Sequence, residues 1–196
     1  MIKHFLTLLA AFAAAAFLAL PASAGVLGTD VTGSLLFGEI RTNFFDAANT
    51  FVPAGCKNAD ANGGPVTVSD PAVEFCFADS ANRDSANFTD GVLTVRDEIL
   101  TGAISWIMEF VFAPGAVSAV SALDSNFRPG SLMFAFANDK LTIEYNGARQ
   151  PDEAGDFAAQ YRLAPGAAVA IPEPAPIALL LFGIVMLGHA RSRRNR

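Results

Sequence analysis

The feature that most constrains the fold is an alternation of apolar residues at every second position, in short runs separated by Gly, Pro, Asn and Asp. In "AISWIMEFVF", Ile104, Trp106, Met108, Phe110 and Phe112 share one face, so one side of this strand is expected to face a core. A period of two with no helical period between the runs predicts an all-β domain. About eight or nine short strands favour an antiparallel β-sandwich or jelly-roll-like architecture.

The same alternation predicts the neighbouring strands. In "KLTIEY" Leu141, Ile143 and Tyr145 point inward, and in "AVEFCF" the inward residues are Val73, Phe75 and Phe77. Asn138 and Asp139 tolerate the positive φ of a two-residue turn, which predicts a hairpin. An Asn146-Gly147 turn follows. Further strands are expected over residues 30–40, 66–69, 91–96, 117–123 and 156–163.

The N-terminal residues have the features of an export signal. Lys3 precedes an uncharged run from Phe5 to Leu20, and "PASA" places Ala22 and Ala24 as the small residues before a cleaved bond. This order is typical of a secretory signal peptide over residues 1–24, with Gly25 as the first mature residue.

The charge of the chain disfavours nucleic acid as a partner. Residues 25–170 hold eight basic and eighteen acidic residues, and 8 − 18 gives a formal charge of −10. A surface this acidic repels phosphate backbones, so nucleic acid is not an expected partner. The two histidines, His4 and His189, lie outside this region, which disfavours His-dependent nucleophiles and His-ligated zinc.

Cys56 and Cys76 are the two cysteines of the chain. Export to an oxidising compartment favours a disulfide over a pair of free thiols. Closing a loop of about 20 residues would stabilise the fold by about 3 kcal/mol in the chain-entropy model. The bridge would tether the Gly- and Asn-rich loop "KNADANGG" across the outer side of its strand.

Two interpretations apply to the acidic stretch "FADSANRDSANFTDGVLTVRDE". Its Asp79, Asp84 and Asp90 are candidate Ca²⁺ ligands, because hard cations prefer carboxylate oxygens on loops. The spacing matches no known Ca²⁺ loop, however, and these residues are ordinary in solvated turns, which is the interpretation we favour. No metal site and no cofactor are therefore predicted.

A carboxylate pair could in principle hydrolyse glycosidic bonds. Only Glu74 and Glu109 lie within strongly patterned runs, and alternation places both on the outer side. The sequence therefore offers no catalytic residue.

The C-terminal segment combines an apolar run with a basic end. Pro176 to Ala190 would form about 22 Å of helix, short of a hydrocarbon core of about 30 Å, although extension to Ser192 makes insertion feasible. The positive-inside tendency orients the tail toward the cytoplasm through its four arginines: Arg191, Arg193, Arg194 and Arg196.

This segment, "IPEPAPIALLLFGIVMLGHARSRRNR", resembles the PEP-CTERM sorting signal of Gram-negative bacteria. The resemblance covers residues 171–196 and implies that an exosortase recognises Pro172, Glu173 and Pro174, cuts near them and passes the ectodomain to the cell surface or the extracellular polysaccharide matrix. Ile171, where such signals commonly have Val, and His189 within the apolar run are small departures. The expected organisation is a signal peptide over 1–24, an ectodomain over 25–168 and a sorting signal over 169–196.

The leading expectation for function is a non-enzymatic surface or matrix protein. It would be held in the inner membrane before processing by exosortase, with extracellular polysaccharide as a possible contact. A carbohydrate- or calcium-binding β-sandwich module is the alternative, and a secreted hydrolase ranks last.

Overall fold

The computed structural model describes residues 25–40, 42–102, 104–149 and 154–166. The predicted signal peptide, the Pro172 to Pro174 triplet and the arginines of the tail lie outside these residues. None of the helical turns in the described ranges has the length and apolar character that crossing a bilayer requires.

The described chain is almost entirely β-structure. Two short 3₁₀ turns, Lys57–Asp60 and Gly147–Arg149, interrupt it. The ten strands are β1 (Asp30–Phe37), β2 (Val66–Thr67), β3 (Phe75–Ala78), β4 (Asn82–Thr89), β5 (Val92–Ile99), β6 (Trp106–Phe112), β7 (Val117–Ser125), β8 (Leu132–Ala137), β9 (Lys140–Tyr145) and β10 (Gly155–Pro165).

The strands form two five-stranded sheets, and every pairing is antiparallel. The order is β2-β1-β6-β9-β8 in the first sheet and β3-β4-β5-β10-β7 in the second. The expectation of an all-β antiparallel domain is confirmed.

One hydrophobic core receives side chains from both sheets. The ring of Phe75 in β3 lies 5.8 Å from that of Phe110 in β6, and Phe88 in β4 lies 6.0 Å from Phe112. Gly33 in β1 is needed for this packing, because a Cβ at that position would lie 2.6 Å from the Phe75 ring. The absence of a side chain lets an aromatic ring of the second sheet rest on the backbone of the first.

The alternation read from the sequence matches the burial of the strands that carry it. Trp106, Met108, Phe110 and Phe112 are buried, whereas Ile104, placed on the same face, precedes β6 and is exposed. The predicted inward residues of β9 are all buried: Leu141, Ile143 and Tyr145. The hairpin between β8 and β9 turns at Asn138 and Asp139, with φ of 53° and 57°.

Candidate functional site

Two carboxylates face each other inside the core. Asp84 of β4 and Asp97 of β5 are direct cross-strand partners, and both lie on the inner face of the second sheet. Each is only 1% exposed. Buried carboxylates normally require a positive partner or several hydrogen-bond donors, so their immediate surroundings decide what the pair can do.

Within the described residues, one group donates a hydrogen bond to this pair of carboxylates. Trp106 Nε1 in the opposite sheet donates to Asp97 Oδ2 over 2.8 Å. Within the described residues, the second oxygen of Asp97 and both oxygens of Asp84 have no hydrogen-bond partner. The Tyr145 ring lies 5.3 Å from that of Trp106, and its hydroxyl is likewise unpaired.

These surroundings favour protonated carboxylates. Burial, together with the negative charges of Asp97 and Asp79, raises the pKa of Asp84 well above its ordinary value. Burial raises the pKa of Asp97 to about 6, although the Trp106 hydrogen bond opposes the increase. Burial and the Asp97 charge also raise the pKa of Tyr145 to about 12. Two neighbouring acids without a counter-charge retain a proton between them near neutral pH.

The chemistry open to this pair is limited by its enclosure. A shared proton between carboxylates resembles a general acid–base arrangement, but both side chains face the packed core. A substrate would have to enter between the sheets to meet them. The arrangement therefore makes the stability of the domain depend on pH.

Glu74 corrects a prediction from the alternation. It is 0% exposed, whereas the pattern placed it on the outer side. Strand β3 begins only at Phe75, so Glu74 lies in the preceding loop and the strand period does not apply to it. Its carboxylate accepts hydrogen bonds from the backbone amides of Ser69 at 3.0 Å and Phe88 at 2.9 Å, and Lys57 Nζ lies 3.6 Å away.

Glu109, the other patterned acid, lies on the outer side as predicted and pairs with Lys140 Nζ at 2.8 Å. The structure therefore does not bring the two glutamates together as a catalytic pair: one is buried and fully engaged, and the other is in a solvent-accessible ion pair.

The disulfide joins Cys56 to Cys76, with Cα atoms 6.0 Å apart, as the sequence predicts. It lies beside Asn58, a buried residue that the sequence analysis did not single out. The Asn58 side chain donates to the carbonyls of Phe45 and Cys76, at 2.9 and 3.1 Å, and accepts from the Cys76 amide at 3.1 Å. Together the bridge and this amide attach the loop to the outer edge of β3.

The three candidate Ca²⁺ ligands do not form one group in the described structure. Asp79 lies between β3 and β4 and accepts from the amides of Ala81 and Asn82, Asp84 is buried in β4, and Asp90 lies in the turn before β5. The solvated-turn interpretation fits the positions of Asp79 and Asp90 but is wrong for Asp84. In the described ranges, no three His, Cys, Asp or Glu side chains are grouped so that they could hold a metal ion.

A groove of about 450 Å³ opens between β7 and β8, the neighbouring free edges of the two sheets. Phe134 of β8 and Tyr161 of β10 contribute rings 5.2 Å apart. Phe134 nevertheless remains 40% exposed, whereas Tyr161 beneath it is buried. Leu123 and Asp124 of β7 and Arg128 of the following loop line the rim.

The described residues thus contain three candidate features: a buried pair of carboxylates, a loop tethered by a disulfide, and an apolar groove. Comparison of the chain with protein families, with curated proteins and with solved structures found no match.

Proposed function

We propose that this chain is an exported, non-enzymatic protein of the cell surface or extracellular matrix, sorted by an exosortase through its C-terminal segment. In this proposal the two sheets form a β-sandwich ectodomain that is delivered as a folded unit. The inner membrane holds the chain only until processing.

The observation that carries the proposal is the order of three features in the C-terminal sequence: the Pro-Glu-Pro triplet, a short apolar run and an arginine-rich end. The prolines lack amide hydrogens and keep the triplet out of a following helix, which suits an extended substrate for an enzyme cleft. An apolar run shorter than the bilayer core suits a temporary anchor.

Two structural facts support it. Within the described residues, the core runs from Val26 to Leu163, so cutting the chain after the triplet would leave all of these core residues in place. The Cys56–Cys76 bridge fits a protein that matures in an oxidising compartment.

The proposal is tested with the full chain expressed in a Gram-negative host, with and without its exosortase. One variant carries Pro172→Ala, Glu173→Ala and Pro174→Ala, and a control carries Pro176→Ala, which leaves the triplet intact. Intact-mass spectrometry and membrane fractionation follow each chain. We expect the wild type and the control to lose the C-terminal segment and leave the inner membrane only where exosortase is present.

The triplet variant is expected to keep its full C-terminus and to stay in the inner membrane. Identical masses and locations for all chains in both hosts would contradict sorting and favour a plain tail anchor.

A further inference from the structure

The edge strands of the two sheets differ in how well they are protected from pairing with another strand. At one end of the sheets, β2 has only two residues. The edge of β3 is covered, because Asn58 bonds both the amide and the carbonyl of Cys76, and the Ala78 amide donates to the Phe51 carbonyl over 2.8 Å. Short strands and covering loops are ways in which proteins prevent edge-to-edge association.

The opposite edge, at β7, is neither short nor covered by a loop of the described residues, and its pairing with β10 shifts register only between Asp124 and Ala122 and between Ala119 and Val117. β7 has nine residues, and its stretch "VSAVSAL" over 117–123 contains no charge and no proline. In the described part of the chain only β10 pairs with it, so one edge of its backbone has no strand partner. A long, uncharged, exposed edge is a template for pairing with another strand.

Apolar surface surrounds this edge. Leu123 of β7 and Phe134 of neighbouring β8 both line the groove, and they are 42% and 40% exposed. Strands within a sheet lie about 4.8 Å apart and packed sheets about 10 Å apart, so a strand added beyond β7 would lie over the mouth of the groove. The same addition would therefore satisfy the free backbone groups and cover the exposed apolar side chains.

Charge and symmetry favour a second copy of this chain as the occupant of the edge. The region from 25 to 170 carries a formal charge of −10, so two copies repel each other except where they meet through an uncharged surface. An antiparallel pair of β7 strands with its twofold axis at Val120 brings the uncharged residues 117–123 of the two copies together and keeps the two Asp124 side chains apart, at opposite ends of this stretch. A strand of this composition is thus complementary to itself.

We propose that the β7 edge is a self-association site, at which two copies of this chain pair β7 against β7 and continue the second sheet across the dimer. The proposal is independent of sorting by exosortase, since it concerns only the described domain.

The test uses differently tagged full chains, co-expressed and purified in a nonionic detergent. Ala119 is exposed and lies opposite Ala164 on the outer face of the sheet, so its substitution does not enter the core. Ala119→Glu in both copies, or Ala119→Lys in both copies, places like charges near the axis. We expect each to reduce co-capture about tenfold.

The decisive experiment combines the two variants in one co-capture. A chain with Ala119→Glu and a chain with Ala119→Lys should recover co-capture, because their charges are now opposite. The matched controls, Ser80→Glu and Ser80→Lys, change charge at an exposed turn next to β3, at the far edge of the same sheet, and should have no effect. Co-capture of the wild type should increase with salt, which screens the repulsion between acidic copies.

Three results would overturn the proposal: no co-capture of wild-type copies, equal loss from the Ala119 and Ser80 substitutions, or no recovery on mixing. A glycan or a foreign peptide as the occupant of the groove would give the first result, together with binding of that molecule by a single copy.

Discussion

Replacing Asp97 with Asn should stabilise this protein at alkaline pH and hardly change it in acid. The substitution removes one of two facing buried carboxylates and keeps an oxygen that can accept the Trp106 Nε1 hydrogen bond. Its amide nitrogen replaces Oδ1, which has no partner in the described structure, on the side chain directly across from Asp84. Two carboxylates that repel each other are thus replaced by an amide that can donate a hydrogen bond and a carboxylate that can accept it.

The magnitude follows from the pKa of Asp97. Its pKa increases from an ordinary value of 3.8 to about 6 in the folded state. The folded protein therefore binds more protons than the unfolded chain between these values, and the free energy of unfolding decreases as pH rises through the interval. At about 1.4 kcal/mol per pH unit, Asp97 ionisation costs about 3 kcal/mol above pH 6. Its 1% exposure leaves little solvent screening to reduce this cost.

The assay is urea unfolding of the full chain in a nonionic detergent at pH 4.5 and pH 8, followed by the fluorescence of Trp106, the single tryptophan. We expect Asp97→Asn to increase the free energy of unfolding by about 3 kcal/mol at pH 8, or its Tm by about 10 °C, and by much less at pH 4.5. Glu144→Gln, an exposed carboxylate of β9, is the control and should change stability little at either pH.

An effect of Asp97→Asn that is the same at pH 4.5 and pH 8 would refute the reasoning, because a carboxylate that titrates near its ordinary pKa is ionised at both. Destabilisation at pH 8 would show that the Asp97 negative charge is satisfied by a partner.

Three further changes test the packing of the fold by the same unfolding assay. Replacing Cys56 and Cys76 with Ala should cost about 3 kcal/mol, because the open loop gives the unfolded chain more freedom. Gly33→Ala should cost about 1–3 kcal/mol, since its Cβ would lie 2.6 Å from the Phe75 ring. Glu74→Ala should cost about 2–5 kcal/mol, because two backbone amides and a nearby lysine lose their acceptor.

Each change has an internal control. A reducing agent should destabilise the wild type and leave the double Cys variant unchanged. Ser34→Ala, next to Gly33 in β1, should cost less than Gly33→Ala. Glu74→Gln keeps oxygen acceptance and should cost less than Glu74→Ala. Equal losses within any of these comparisons would contradict the corresponding contact.

The sequence predicted those strands whose inner faces are apolar. β6 and β9 each have one buried apolar face, so a period of two is visible in their residues alone. β4 was missed because its inner face begins with Asn82 and Asp84 before Ala86 and Phe88, and a hydrophobic pattern cannot reveal a polar interior. Its assignment requires the pairing with β5, which depends on the three-dimensional register.

The candidate sites were harder to predict for the same reason. Asp84 and Asp97 are separated by twelve intervening residues and meet only because a tight turn places their strands side by side. Glu74 was misplaced because a strand's first residue cannot be read from alternation. The exposure of Phe134 depends on how far apart the sheets lie at β7 and β8, which no local pattern specifies.

The most direct test of the central claim is the mass of the mature protein recovered from the surface fraction of its native cells. Sorting predicts a chain that begins at Gly25, retains the Cys56–Cys76 bridge and ends near the Pro172 to Pro174 triplet, without residues 176–196. A surface protein that still carries Arg196, or a chain found only in the inner membrane with its full C-terminus, would contradict it.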